Sequence, residues 1–208
     1  MIRRLFLILV ALTIAAATTI AIWGPAYVER RLNPVTMPKD GWPVSPQAQA
    51  LHDSLIIGDL HSDALLWDRD ILTRVDRGHV DIPRLVEGNV AVQVFTTVTK
   101  SPSGQNYDSN SADTSDNITP LVIAQLRPVQ SWFSLKERAL AQAAALSRAA
   151  ETAPDQVMVI RSAADLQSLL EARRDGAHTV GAILGMEGAH PLEGNPDNLR
   201  VLYGAGFR

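Results

Sequence analysis

Between Leu5 and Trp23 the chain runs for 19 residues without a charge, interrupted only by Thr13, Thr18 and Thr19, directly after Arg3 and Arg4. At 1.5 Å per residue such a helix comes close to the roughly 30 Å hydrocarbon core of a bilayer. A cleavable signal needs an apolar region of only about 7–15 residues, so the length points to an uncleaved signal anchor. Ala15-Ala16-Ala17 offers small residues for cleavage, although a cut there would fall within the run instead of after it. The short basic amino end followed at once by the apolar run favours an inside amino terminus, with Arg30 and Arg31 blurring the count. The expectation is a single-pass protein of the cell membrane whose remaining residues face the outside, periplasmic or extracellular.

Beyond the anchor, taken as residues 1–24, Pro25, Pro34, Pro38, Pro43 and Pro46 interrupt a segment with little apolar periodicity. Residues 25–46 therefore read as a stalk and residues 47–208 as the folded unit. Within that unit Leu55–Leu60 is short, apolar and β-branched, as a buried strand requires, and Asn89–Thr99 and Thr179–Leu184 read the same way. The third of these is expected to break at Gly185-Met-Glu-Gly188. Ser134 with Glu137, and Ser162 with Asp165, have the spacing of helix N-terminal capping pairs. Apolar positions Leu135, Ala139, Ala143, Leu146 and Ala150 share one helical face, as do Leu166, Leu169 and Leu170. Pro154 and Gly176 supply the stops, and Asn195-Pro196 opens a last helix. Lys100–Asn117 is polar and reads as a loop. Strands alternating with helices predict a parallel α/β sheet, whose functional groups lie at the carboxyl ends of the strands.

Several chemistries are excluded by composition. The sequence has no cysteine, so a metal would have to sit on His, Asp and Glu. Nineteen Lys and Arg against 22 Asp and Glu leave a net charge of -3, without the basic surplus that nucleic-acid binding needs. Glycine-rich phosphate loops, a serine nucleophile elbow and a His-Glu-x-x-His zinc helix are missing too. The scattered Trp42, Trp67 and Trp132 read as packing residues.

His61 and Asp63 stand two apart at the end of the first strand, so they point the same way, and Asp59 shares that face. An imidazole and a carboxylate at one point suit a divalent ion such as zinc. In isolation the same pattern more often caps a loop or pairs with solvent. Glu187, between Gly185 and Gly188 at the end of the third predicted strand, is the second candidate ligand, with pairing to an arginine as its plainer role. His190 fits a ligand, a supporting partner or a loop donor equally well. His79, Asp81 and Arg84 read as a local polar network around a helix start at Pro83.

Taken together, Asp59-Leu-His-Ser-Asp63, His79-Val-Asp-Ile-Pro-Arg-Leu85, Gly88-Asn-Val-Ala-Val-Gln-Val-Phe95 and Gly185-Met-Glu-Gly-Ala-His190 resemble peptidase family M19, the membrane or renal-type dipeptidases. Asn198–Arg208 resembles the helix that follows in that family. The resemblance implies a metal-dependent (β/α)₈ barrel of the TIM-like hydrolase type with two zinc ions at the carboxyl ends of its strands. It also implies hydrolysis of dipeptides by a hydroxide shared between the metals. Carried over to this chain, His61 and Asp63 bind the first ion, Glu187 bridges both, and Asp59 and His190 take supporting roles. A homodimer stays open.

The family's remaining ligands and its substrate-binding and proton-transfer groups lie beyond the matching blocks. About 160 residues follow the stalk, whereas an eight-stranded barrel takes about 250. The expectation is the amino-terminal part of a dipeptidase, inactive by itself, with no catalytic residue beyond the candidate ligands. Two rivals stand beside it: a membrane-tethered remnant that binds a metal or partner without catalysis, and another hydrolase of the same barrel type.

Overall fold

The computed structural model describes every residue except Asp40 and Ala112. Helix α1 covers Ile2–Leu32 and is long and apolar enough to cross a membrane. It does not stop at Trp23, because Gly24 and Pro25 are absorbed within it; Pro25 lacks only the one N–H that the turn would have used. The first eight residues read as stalk are thus helical, and the following segment ends at α2, Pro46–Ser54, which Ser45 caps by accepting a hydrogen bond from the N–H of Ala48 at 3.1 Å.

Four parallel strands form the sheet: β1, Ile57–Ser62; β2, Val90–Val98; β3, Val157–Val159; and β4, Val180–Glu187. Their order is β1-β2-β4-β3. β1, β2 and β4 correspond to the three predicted strands. The three-residue β3 has no sequence signal of its own, and exists because Val157–Val159 pair with Val180–Ala182. Further along the same edge Phe207 bridges Leu184 in parallel. The expected break at Gly185 does not occur. Gly185 continues β4 opposite Thr96, where a Cβ would lie 3.1 Å from Val94 and 3.3 Å from Thr96, so its smallness serves strand packing; the turn falls to Gly188, at φ 76.

Helices α3 (Ile82–Glu87), α6 (Leu135–Thr152) and α7 (Ala163–Arg174) pack on the sheet, and α8 (Asn198–Gly204) packs on α6. Ile82, Phe95, Leu146, Val157, Val180, Leu184 and Leu202 make the core between them, all buried. Gly181 lets α7 approach closely, because a Cβ there would sit 2.4 Å from Leu169. The other face, with Val92, Val94 and Ile183, is only half covered. Two short helices, α4 (Ile118–Ala124) and α5 (Gln130–Phe133), follow the polar loop. α8 starts three residues after Asn195, whose side chain accepts from the N–H of Asp197 in the turn before it. Trp42 is 69% exposed and so is not the packing residue its type suggested, whereas Trp132 is partly buried and donates its ring N–H to the carbonyl of Arg127 at 2.8 Å.

Candidate metal centre

β1 carries an extra residue near its end: Asp59 pairs with Gln93 and Ser62 with Phe95, three steps against two. This bulge breaks the alternation on which the common face of Asp59, His61 and Asp63 rested. Asp59 turns to the backbone and accepts a hydrogen bond from the N–H of His61 at 3.1 Å. His61 and Asp63 still converge, and Glu187 arrives beside them from the end of β4, two strands away.

His61 Nε2 lies 3.4 Å from Asp63 Oδ1 and 3.2 Å from Glu187 Oε2. One ligand atom from each of the three lies within 4.8 Å of the others, the one such group among the described residues. Their side chains are 54%, 38% and 52% exposed, so the group opens outward and is not sealed in the core. A nitrogen and two carboxylate oxygens are the donor set that zinc accepts. The residues therefore fit a divalent metal.

One of the two carboxylates is held from behind. Thr96, on β2, donates its hydroxyl to Asp63 Oδ1. Composition could not single it out among the three threonines of this region, Thr96, Thr97 and Thr99, although its place near the carboxyl end of a strand is a usable signal. His190 stands outside the three-residue group; its ring lies against Gly188, with Nε2 3.3 Å from where a Cβ would be. With Asp63, Glu187 and Gly188 it lines a cavity of about 350 Å³ whose opposite wall comes from Ser101, Pro102, Gln105 and Asn110 of the polar loop.

That loop is fastened at its base by Asp116. One carboxylate oxygen accepts from the N–H groups of Ser101 and Ile118, both at 2.9 Å, and the other from the Thr119 hydroxyl and Arg138, both at 2.7 Å. Burial raises the acid's pKa, but these donors outweigh it and bring Asp116 down to about 2. Arg138, 3% exposed, also donates to the carbonyls of Thr99 and Ser131, tying the end of β2 to α6. Glu193, in the turn after His190, accepts from the Ser134 hydroxyl at 2.8 Å and the N–H of Leu135 at 2.6 Å, adding a second cap to α6. Partial burial raises the pKa of Glu193 and these bonds lower it, with a net fall. Neither Arg138 nor Glu193 was marked by spacing, because each works through partners far away in sequence. Asp81 does form the expected local network, buried and accepting from the N–H and Nε of Arg84, while His79 is exposed.

The profile of the family "Membrane dipeptidase (Peptidase family M19)" matches residues 45–208. The chain belongs to peptidase family M19. The fold agrees: a solved M19 metallopeptidase, the dipeptidase AC, superposes at a TM-score of 0.52 with 25% identity over 74% of this chain and 41% of its own. A metallopeptidase from Rhodobacter sphaeroides, solved with a phosphinate mimic of the dipeptide L-Ala-D-Ala, gives 0.50 and 26% over 74% and 44%. No curated protein matches. This M19 chain thus spans about two fifths of the length of those solved relatives. Its parallel α/β sheet is that of the TIM-like M19 dipeptidases.

Proposed function

We propose that this chain contributes His61, Asp63 and Glu187 to a zinc centre that hydrolyses dipeptides on the outer side of a membrane crossed by α1. The observation that carries the reading is the convergence of these three side chains, within 4.8 Å, at the strand ends of an M19 fold. Zinc held there would supply a Lewis acid and a water acidic enough to serve as nucleophile at neutral pH. His61 gives the nitrogen ligand and Asp63 an oxygen, oriented by Thr96. Glu187 has one carboxylate oxygen toward His61 and would be the residue shared with a second ion. Two four-coordinate ions need more donors than these three residues supply, so the remaining ligands and the acid that protonates the departing amine come from other strands. Asp59 and His190 act in support, the first by fixing the bulge that presents His61, the second by walling the cavity. A cavity of about 350 Å³, at the small end of ligand sites, suits a substrate of two residues.

The test is zinc content by elemental analysis for the chain and its His61→Ala, Asp63→Ala and Glu187→Ala variants, beside hydrolysis of L-L and L-D dipeptides with a chelator control in the assembled enzyme. Loss of zinc in each variant, and chelator-sensitive turnover abolished by Glu187→Ala, is the expected result. Full zinc content in all three variants overturns the site, and turnover of phosphoesters instead of dipeptides overturns the reaction.

A further inference from the structure

We infer that the domain is clamped against the membrane, with the corner formed by Ile123 and Leu126 resting in the lipid headgroup layer. The inference rests on the reading of α1 as membrane-spanning. α1 continues without a break from the apolar run to Leu32, so no flexible joint separates the anchor from the folded unit. Its last turns are then locked to the domain. Glu29 is 2% exposed and accepts from Arg69 Nε at 2.8 Å and Arg77 Nε at 2.6 Å. Beside it Arg30 pairs with Asp76 at 2.8 Å, and the carbonyl of Asn33 accepts the N–H of Gly78 at 3.0 Å. Gly78 is required here twice over: its φ is 65, and a Cβ would lie 3.2 Å from the Glu29 carboxylate and 3.1 Å from Arg69.

From this clamp the domain reaches back along the helix. A cavity of about 180 Å³ between them is lined by α1 from Ala21 and Ile22 to Glu29 on one side and by Trp67, Asp68, Arg77 and Gln125 on the other. Ile22 lies seven residues before Glu29, about 10 Å along the axis, and belongs to the charge-free run. Gln125 shares that cavity with Ile22 and α4 packs on α1, which brings this corner of the domain beside the end of the charge-free run. There Ile123 is 40% and Leu126 70% exposed, and Leu126 holds a left-handed backbone conformation, φ 52, that is costly for leucine. Apolar side chains continuous with a membrane-spanning helix fit a lipid surface, which accepts an aliphatic side chain without a shaped pocket.

Because the sequence has no cysteine, single labels can be placed cleanly. The full chain is reconstituted in phospholipid vesicles with an environment-sensitive fluorophore attached after Leu126→Cys or, separately, Leu12→Cys, and quenched by lipids spin-labelled at the headgroup or in the acyl chain. Headgroup-labelled lipid is expected to quench most of the signal at position 126 and acyl-labelled lipid that at position 12. Adding Glu29→Ala should abolish quenching at 126 and leave it at 12; Gly78→Val, which pushes on the clamp without removing it, should do so in part. Quenching at 12 without quenching at 126 in the parent chain overturns the clamp and leaves the anchor standing. No quenching at either position overturns the membrane reading itself. Protection of position 126 that depends on protein density, and not on quencher, makes the patch a contact between two copies and overturns the lipid assignment.

Discussion

Glu29 and Glu187 are carboxylates of the same kind in opposite situations. Glu29 is buried, and two arginines fixed by the surrounding loop neutralise it completely. Glu187 is half exposed at a strand end and faces an imidazole and a second carboxylate, with no arginine or lysine bridging it among the described ion pairs. The first arrangement is closed: Glu29 is held between two opposite charges, and removing it leaves both arginines without that partner in low dielectric. The second is open, an imidazole and two carboxylates at strand ends whose chemistry fits a divalent cation. Burial of charge marks structure in this chain, and convergence of incompletely paired acceptors marks the site.

The comparison breaks if the two carboxylates respond alike to removal. Glu29→Ala should weaken the junction by about 3–5 kcal/mol, the usual consequence of orphaning a buried pair, read as faster hydrogen exchange at the Gly78 amide. Glu187→Ala should change the stability of the zinc-free chain by less than about 0.5 kcal/mol in thermal unfolding while removing bound zinc. Equal destabilisation by both would mean that Glu187 is structural.

A smaller effect sharpens the role of the residue behind the ligands. Thr96→Val removes the hydroxyl that orients Asp63 and keeps the shape, so zinc affinity measured by titration should fall about 10–100-fold with little loss of stability. Next comes Glu193→Ala, which uncaps α6 from the turn after β4 and should cost about 1 kcal/mol in denaturant unfolding.

The smallest effect is a pH dependence. Asp116 is held near 2 in the fold against an ordinary 3.8, so its ionised form is favoured by folding. Its contribution is complete above the unfolded value and is lost as pH falls from about 4 through about 2. After allowance for solvent screening it is on the order of 1 kcal/mol, and Asp116→Asn should flatten the acid limb of a pH series of thermal unfolding. An unchanged acid limb would mean that the loop base is not held by that charge.

Much of this was readable in one dimension. Capping serines at 134 and 162, the apolar stripes behind them and the β-branched runs mark elements whose local preferences agree with their final state, so Ser134 and Ser162 do accept from the N–H groups three residues on. His61, Asp63 and Glu187 were marked by residue type at strand ends. β3 was not, because three residues acquire strand geometry only from their neighbour, and the bulge in β1 was not, because register is a property of two strands.

The same division runs through the whole chain. Sequence by itself determined an apolar segment of bilayer length, the parallel α/β alternation and the donor chemistry available to a metal, since each depends on composition and short-range spacing. Tertiary structure alone decided that Glu29 would be bound by arginines 40 and 48 residues away, that Thr96 would stand behind Asp63 across a strand pair, and that Asp59 would turn to the backbone. The physical reason is that hydrogen bonds and ion pairs are settled over 3 Å in space, whatever the distance along the chain.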